Sequence, residues 1–511
     1  MSNRVLAKIK RGKSSRMFRP VPLAAVLVSL LGSLLYRSNA IVPVEQLHPI
    51  HRIAFGSCSN PNVGDGIWHL IASFAPNQLI LLGDQVYADY EPESQWKRSS
   101  GANAEQLEEE YRKFRLQKGF QKLLLSLTHQ WVATIDDHDY GKNNGDKTYK
   151  YRNESIEIFQ KYNSEHFDPF FESVDPVSGK VSREKKSGVF SSHFFSFPSN
   201  ISKRQINFAV VLLDARSNKD PKGTTDGDFL GEQQWRWLEQ ELFSKKMNEQ
   251  DLILVGSGIQ FLPDDKFVEE NWGEFPQQRE RLLSLLARVG RRQNLLLLSG
   301  DIHSAEINQV RCYPSDDRSH EPEEVRLVEL TSSGLSHTFA QVTARWRMRL
   351  FGTFLRSPAE IWVRSRVYVG RLFGLCYSWL YPAAFREEPA AHSYDQLHFA
   401  LLDFREIHAH AGGEGDLAVV FSVVNYRGET VVQKTFPLRP PRPVRGEAAD
   451  FRCLPVRGAV SPLRVRRYRQ VLLAISAVLL VLSLGVVLLL LAVIRGLLFP
   501  RAPSQRPQKA E

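Results

Sequence analysis

Cysteine is scarce: there are four in 511 residues, Cys58, Cys312, Cys376 and Cys453. That density excludes a disulfide-stapled scaffold, and leaves room for one disulfide among the last three without saying which two pair. No two are spaced Cys-x-x-Cys, which excludes a zinc knuckle. A Gly-x-Ser-x-Gly elbow and a glycine-rich phosphate loop are both missing, so neither a serine-elbow hydrolase nor a phosphate-loop nucleotide binder is indicated. No internal repeat or long low-complexity tract occurs, and residues 1–20 contain no acid at all. Elsewhere charge is mixed, with 66 Lys and Arg against 56 Asp and Glu, a net +10. Much of that excess flanks apolar stretches near the two ends, the pattern of membrane topology; no nucleic-acid partner is expected. At 43% hydrophobic and 24% charged residues, the chain is able to bury a sizeable core, either as two or three average domains or as one large α/β domain with additions.

The ends read as membrane-related. Residues 1–20 are rich in Lys and Arg, 21–35 are apolar, and Ser38-Asn39-Ala40 supplies small residues for cleavage after Ala40. Segment 1–40 therefore reads as a secretory signal peptide or as a short signal anchor. Residues 470–494 carry no charge and are almost all Leu, Val, Ala and Ile, enough to cross a hydrocarbon core of about 30 Å as a transmembrane helix. A basic linker, 441–469, precedes this span and a short basic tail, 495–511, follows it. These features predict a single-pass membrane protein with its main domain lumenal or extracellular, tethered to lipid by the C-terminal helix. The sequons at Asn153 and Asn200 suit a lumenal glycoprotein.

Between the ends, apolar runs at 52–55, 79–82, 131–135, 207–213, 252–255 and 295–298 alternate with helix-like stretches at 66–74, 105–127, 154–162, 231–243 and 277–289. Strand alternating with helix predicts a layered α/β domain. After a further run at 325–331 the texture changes, and 398–404, 417–424 and 430–436 read as strands of a closing antiparallel sheet. Residues 337–381 stand apart. Seven arginines there meet one acid, Glu360, with Trp, Phe and Tyr interleaved. This stretch reads either as a lipid-surface segment or as an insertion whose aromatics pack on the domain, with stacking on single-stranded nucleic acid a distant third reading.

The chemistry lies in what the apolar runs end in. The first ends in Gly-Ser-Cys58, and the second in Gly83-Asp84-Gln-Val-Tyr87-Ala-Asp89. The third ends in Asp136-Asp137-His138-Asp139 followed by Asn143 and Asn144, and a later one in Gly300-Asp301-Ile-His303. The second alone is equally well a strand capped by an Asx turn; the third is the most specific, because three acids around a His are hard to bury otherwise. Together they place Cys, Asp, Tyr and His at strand ends, which open α/β sheets gather into one crevice. Crowded carboxylates repel unless cations neutralise them, so the set predicts bound metal.

Gly-Asp-x-x-Tyr, Asp-Asp-His-Asp with its following asparagines, and Gly-Asp-x-His resemble the alkaline phosphatase D (PhoD-like) family of metallophosphoesterases, over residues of about 50–440. The resemblance implies a four-layer α/β/β/α sandwich over 50–440 with 337–381 as an insertion, and a binuclear or trinuclear metal site. It implies ferric iron on Cys58 and Tyr87, calcium completing the cluster, Asp84 as the bridge, and Asp137, Asp301 and His303 as further ligands. His138 takes the catalytic position beside the leaving group. Gln260 stands where the superfamily has a ligand His, which leaves that coordination position open, as it does for Asn143. Leu213-Asp214-Ala-Arg216 resembles the family's Leu-Asp-x-Arg, with Arg216 facing a phosphate. The function implied is hydrolysis of phosphate monoesters or diesters by a metal-activated hydroxide. The alternative is a catalytically degenerate relative that binds a partner while tethered to the membrane.

Overall fold

The computed structural model describes residues 49–90, 100–163, 165, 167–174, 178–199, 203–264, 270–315, 323–338, 393–407, 416–440 and 450–456. Segments 1–40, 470–494 and 495–511, and residues 339–381 of the basic aromatic stretch, lie outside the described residues. Among the described residues no helix is long and apolar enough to cross a membrane.

The fold is mixed α/β and built on two large sheets. In the first, β1 (His51–Gly56), β2 (Gln78–Leu82) and β3 (Val132–Thr134) run parallel. The strands β13 (His398–Ile407), β14 (Asp416–Asn425) and β15 (Thr430–Pro437) join the other side of β1 as antiparallel neighbours. The closing antiparallel strands are thus the other half of the sheet that begins the domain, in the order β15-β14-β13-β1-β2-β3. The second sheet holds β6 (Ser191–Pro198), β7 (Gln205–Leu212), β8 (Leu252–Ser257), β9 (Leu295–Ser299), β10 (Ala305–Pro314), β11 (Val325–Ser332) and β12 (Ser393–Tyr394). Its order is β12-β10-β11-β9-β8-β7-β6, with β7, β8, β9 and β11 parallel. A small hairpin, β4 (Phe170–Val174) and β5 (Val181–Lys185), stands by itself.

The helices are α1 (Gly66–Ser73), α2 (Ala104–Arg115), α3 (Lys118–Ser126), α4 (Asp137–Tyr140), α5 (Arg152–Tyr162), α6 (Gly231–Leu242), α7 (Lys245–Asn248) and α8 (Pro276–Gly290). The 105–127 stretch is two helices, because Gln117 turns extended (φ −61°, ψ 120°) and gives its side-chain oxygen to the Trp68 indole N–H at 2.9 Å. The helix α2 starts cleanly at a capping box, in which Asn103 and Gln106 exchange side-chain and main-chain hydrogen bonds at 2.9 Å.

Strand alternation separates three cores. Ile80 and Leu82 join Phe208, Val210, Leu254, Leu298 and Phe404 in a core made of strand residues from both sheets. Leu79 and Leu81 point the other way, against Trp68, Phe114, Phe120 and Phe159 of the helices. On the far sheet, Val211, Val255 and Leu297 face Trp235, Leu238, Leu282 and Leu286. Both faces of each sheet are covered, which is why strands such as 79–82 read as unbroken apolar runs.

The stretch 441–469, expected as a linker, contains a strand. β16 (Phe451–Pro455) pairs antiparallel with β10, so the folded domain runs past residue 440. Nothing local marks it; its partner lies far back in the chain. Cys453 sits opposite Cys312 and is bonded to it across a separation of 141 residues, which settles the pairing that the cysteine count left open. Closing a loop of that length stabilises by about 5 kcal/mol in the chain-entropy picture, an upper bound in practice. Cys453→Ser is expected to cost roughly 2–5 kcal/mol, read as a lowered denaturant midpoint. An unchanged midpoint would show that β16 is held by its ladder alone.

Candidate metal centre and active site

The parallel strands of both sheets end at one edge, and the site is built from the residues just past those ends. β1 leads to Cys58, β2 to Asp84, β3 to Asp136, β9 to Asp301 and His303, and β11 to Ser333 and His337. The two sheets meet there: the Cys58 sulfur lies 3.0 Å from Ser333 Oγ, and Thr134 Oγ1 donates to the Leu213 carbonyl at 2.7 Å.

The corners are strained. Cys58 (φ 65°), Asp84 (φ 54°), Asn144 (φ 53°), Asp301 (φ 66°) and His303 (φ 52°) are all left-handed non-glycine residues. Each such corner costs on the order of 1–3 kcal/mol and persists only where surrounding packing imposes it. Gly83 relieves one of them, since at its φ of 83° a Cβ would sit 2.5 Å from Asp136 Cβ.

Asp84 is the hub. Three groups have their ligand atoms within 4.8 Å of one another: Cys58, Asp84 and His303; Asp84, Asp137 and His138; and Asp84, Asp136, Asp137 and Asp301. Asp84 Oδ2 takes the Tyr87 hydroxyl at 3.1 Å and the Cys58 thiol at 3.5 Å, while Oδ1 accepts the His138 main-chain N–H at 3.2 Å. Burial, reinforced by the carboxylates of Asp137, Asp136 and Asp139, pushes the Asp84 carboxyl well above its ordinary range, although His138 pulls the other way. Burial and the Asp84 charge likewise push up the Cys58 thiol and the Tyr87 phenol. The protein alone holds these groups in a state that disfavours their anions. A multivalent cation reverses that balance, and the donor set of thiol, phenol, imidazole and carboxylates fits one.

The Asp-Asp-His-Asp run divides its labour. Asp139 is structural: its carboxylate accepts the main-chain N–H of Gln85 at 2.7 Å, Val86 at 3.2 Å and Asp136 at 3.1 Å, fixing the loop after β2. Asp137 joins the cluster and accepts the Asn144 N–H at 2.7 Å. His138 places Nδ1 2.7 Å from Asp89 and Nε2 3.7 Å from Asp137 Oδ1, with its ring 4.2 Å from that of Tyr87. Burial opposes an imidazolium here, but the charges of Asp137, Asp89 and Asp84 prevail and raise its pKa to about 10.

Arg216 is fully buried and faces acids of the protein. Its Nε lies 2.5 Å from Asp136 Oδ1 and it also pairs with Glu270, which in turn meets Lys219 at 3.0 Å. This engagement makes the guanidinium the clamp on Asp136. Gln260 is also turned to a structural task, donating to Glu306 at 3.2 Å and to Thr331 at 3.0 Å. Asn143 gives its side-chain N–H to Asn144 Oδ1 at 2.8 Å.

Cys58, Asp84, Tyr87, Asp137, His138, Asp301 and His303, called from the sequence, all come together. Asp89, Asp136, Ser333 and His337 are additions. Asp89 lies in the same loop as Asp84, and its five-residue offset was available as a signal. His337 was reachable by asking what the run at 325–331 ends in. It follows Ser332-Ser333 and places its ring 4.4 Å from His303 and 4.9 Å from Tyr87.

Because the Arg216 pair is buried, removing one partner is expensive, on the order of 3–5 kcal/mol. Arg216→Ala is expected to lower stability by that much in a denaturant titration. A loss below about 1 kcal/mol, the value of a surface pair, would mean that Asp136 and Glu270 do not depend on it.

No protein of curated function matches the chain. Among solved structures it is similar to a structure of PhoD (13% identity, 78% of this chain and 73% of that one, TM-score 0.41). It is also similar to purple acid phosphatase PPD1 from yellow lupin, Lupinus luteus, seeds (10% identity, 76% of this chain and 55% of that one, TM-score 0.35). The family assignment rests on neither. It rests on the PhoD-like phosphatase family model, which matches residues 53–349 and so takes in every strand end of the site. With more than half of its length matched, the chain belongs to the PhoD-like phosphatase family.

Proposed function

We propose that the chain is a metal-dependent phosphoesterase whose centre is assembled on Asp84. The observation that carries this is the sharing of one carboxylate by all three candidate ligand groups, the arrangement needed to hold two cations side by side. Cys58, Tyr87 and His303 form the sulfur- and nitrogen-bearing side, which suits iron, and Asp137 and Asp301 the oxygen side, which suits calcium. Bound cations supply positive charge that acidifies water and balances the phosphate. His138 supplies the proton: held by Asp89 and charged among its carboxylates, it is poised to protonate a departing alkoxide. Arg216 positions Asp136. Monoesters and diesters both fit this chemistry.

The three successive cores support the four-layer α/β/β/α reading. The Cys312–Cys453 disulfide supports a domain that matures in an oxidising compartment, in keeping with a lumenal or extracellular domain tethered through 470–494.

Asp84→Asn is expected to abolish phosphatase activity and strip bound metal while the fold survives, because the change removes a repelled buried charge. Metal analysis beside circular dichroism checks this, and full activity with full metal would defeat the proposal. His138→Gln is expected to lower kcat by about 10²–10⁴-fold on alkyl phosphates and far less on esters with an activated aryl leaving group. An equal loss on both substrates would remove the general-acid role.

A further inference from the structure

Asp136 has a buried oxygen that the protein does not satisfy. The residue is fully buried. Its Oδ1 faces the Arg216 guanidinium at 2.5 Å, whereas Oδ2 has no hydrogen-bond partner. A buried carboxylate oxygen left without a partner is unfavourable. Two of the residues that close on it are glycines, which bring no donor side chain. A Cβ at Gly83 would lie 2.5 Å from Asp136 Cβ, and one at Gly258 2.7 Å from Asp136 Cγ. Charge counting points the same way. Arg216 is shared with Glu270, and Lys219 lies between Glu270 and Glu274. His138 stands 2.7 Å from Asp89 and 3.7 Å from Asp137. Four carboxylates, Asp84, Asp136, Asp137 and Asp301, bring oxygens within 4.8 Å of one another, and these shared cations do not balance them.

We propose that Asp136 is itself a ligand of a hard divalent cation, completing an all-oxygen set with Asp84, Asp137 and Asp301, while Arg216 holds its other oxygen. The inference rests on the metal-dependent reading above and extends it. In this arrangement Arg216 is a positioning residue: it aims the ligand and leaves the cation to the carboxylates. The all-oxygen set selects a calcium- or magnesium-like ion, and the neighbouring Cys58–Asp84–His303 set a softer metal.

The test is calcium titration of the chelator-treated full chain, followed by calorimetry, with total metal quantified before chelation. Asp136→Asn is expected to weaken calcium binding at least tenfold while the metal on the Cys58 side is retained. Asp136→Asn combined with Arg216→Met removes the guanidinium that Asp136 no longer balances, Glu270 keeping its ion pair with Lys219; with its fold checked by circular dichroism, it is expected to show the same weakened binding. Wild-type affinity in both variants, or its recovery in the double variant, would reduce Asp136 to a partner of Arg216 and overturn the inference. Wild-type protein that holds no metal and binds no calcium would instead overturn the metal-dependent reading, and this inference with it.

Discussion

Mutual repulsion among buried carboxylates is the constraint on which the rest of this molecule depends. Asp84, Asp136, Asp137 and Asp301 present oxygens within 4.8 Å of one another, at depths where a lone carboxylate would rather be protonated. A fold does not gather such groups for stability. The cation proposed above would repay that cost, and the surrounding structure keeps them in place without it.

Two features do this. One is the meeting of two sheets at the ends of their parallel strands, over a core that strands alone fill. That core imposes the left-handed corners at Cys58, Asp84, Asp301 and His303, each unfavourable in isolation. The other is the set of ties behind the cluster. Asp139 binds the main chain of the loop after β2, Asp89 orients His138, and Arg216 with Glu270 and Lys219 backs Asp136. Ligands and supports are neighbours in the chain: of residues 136–139, Asp136 and Asp137 join the cluster, His138 pairs with Asp89, and Asp139 holds the main chain.

The disulfide belongs to the same economy at longer range. It pins β16 to β10, the strand that follows directly from Asp301 and His303. The end of the described chain is thereby anchored to the sheet that delivers two of the site's side chains.

Apolar runs already marked β1–β3, β7–β9, β11 and β13–β15, the alternation of the earlier ones with helices, and the side chains at their ends; β6, β10 and the β4–β5 hairpin carry no such run and were not marked. Burial on both faces leaves an unbroken hydrophobic signature, and a strand end is a local property. The sequence could not show that these strands divide between two sheets, that 398–436 completes the first of them, or that a short strand at 451–455 returns to pair with 305–314, because pairing partners lie far apart along the chain. Nor could it decide what Arg216 faces. A Leu-Asp-x-Arg motif names a cation but not its partner, and only the packing of Glu270 and Asp136 around it turned the guanidinium inward. Side-chain chemistry was legible residue by residue; direction, pairing and strain were settled by tertiary contacts, which no local pattern encodes.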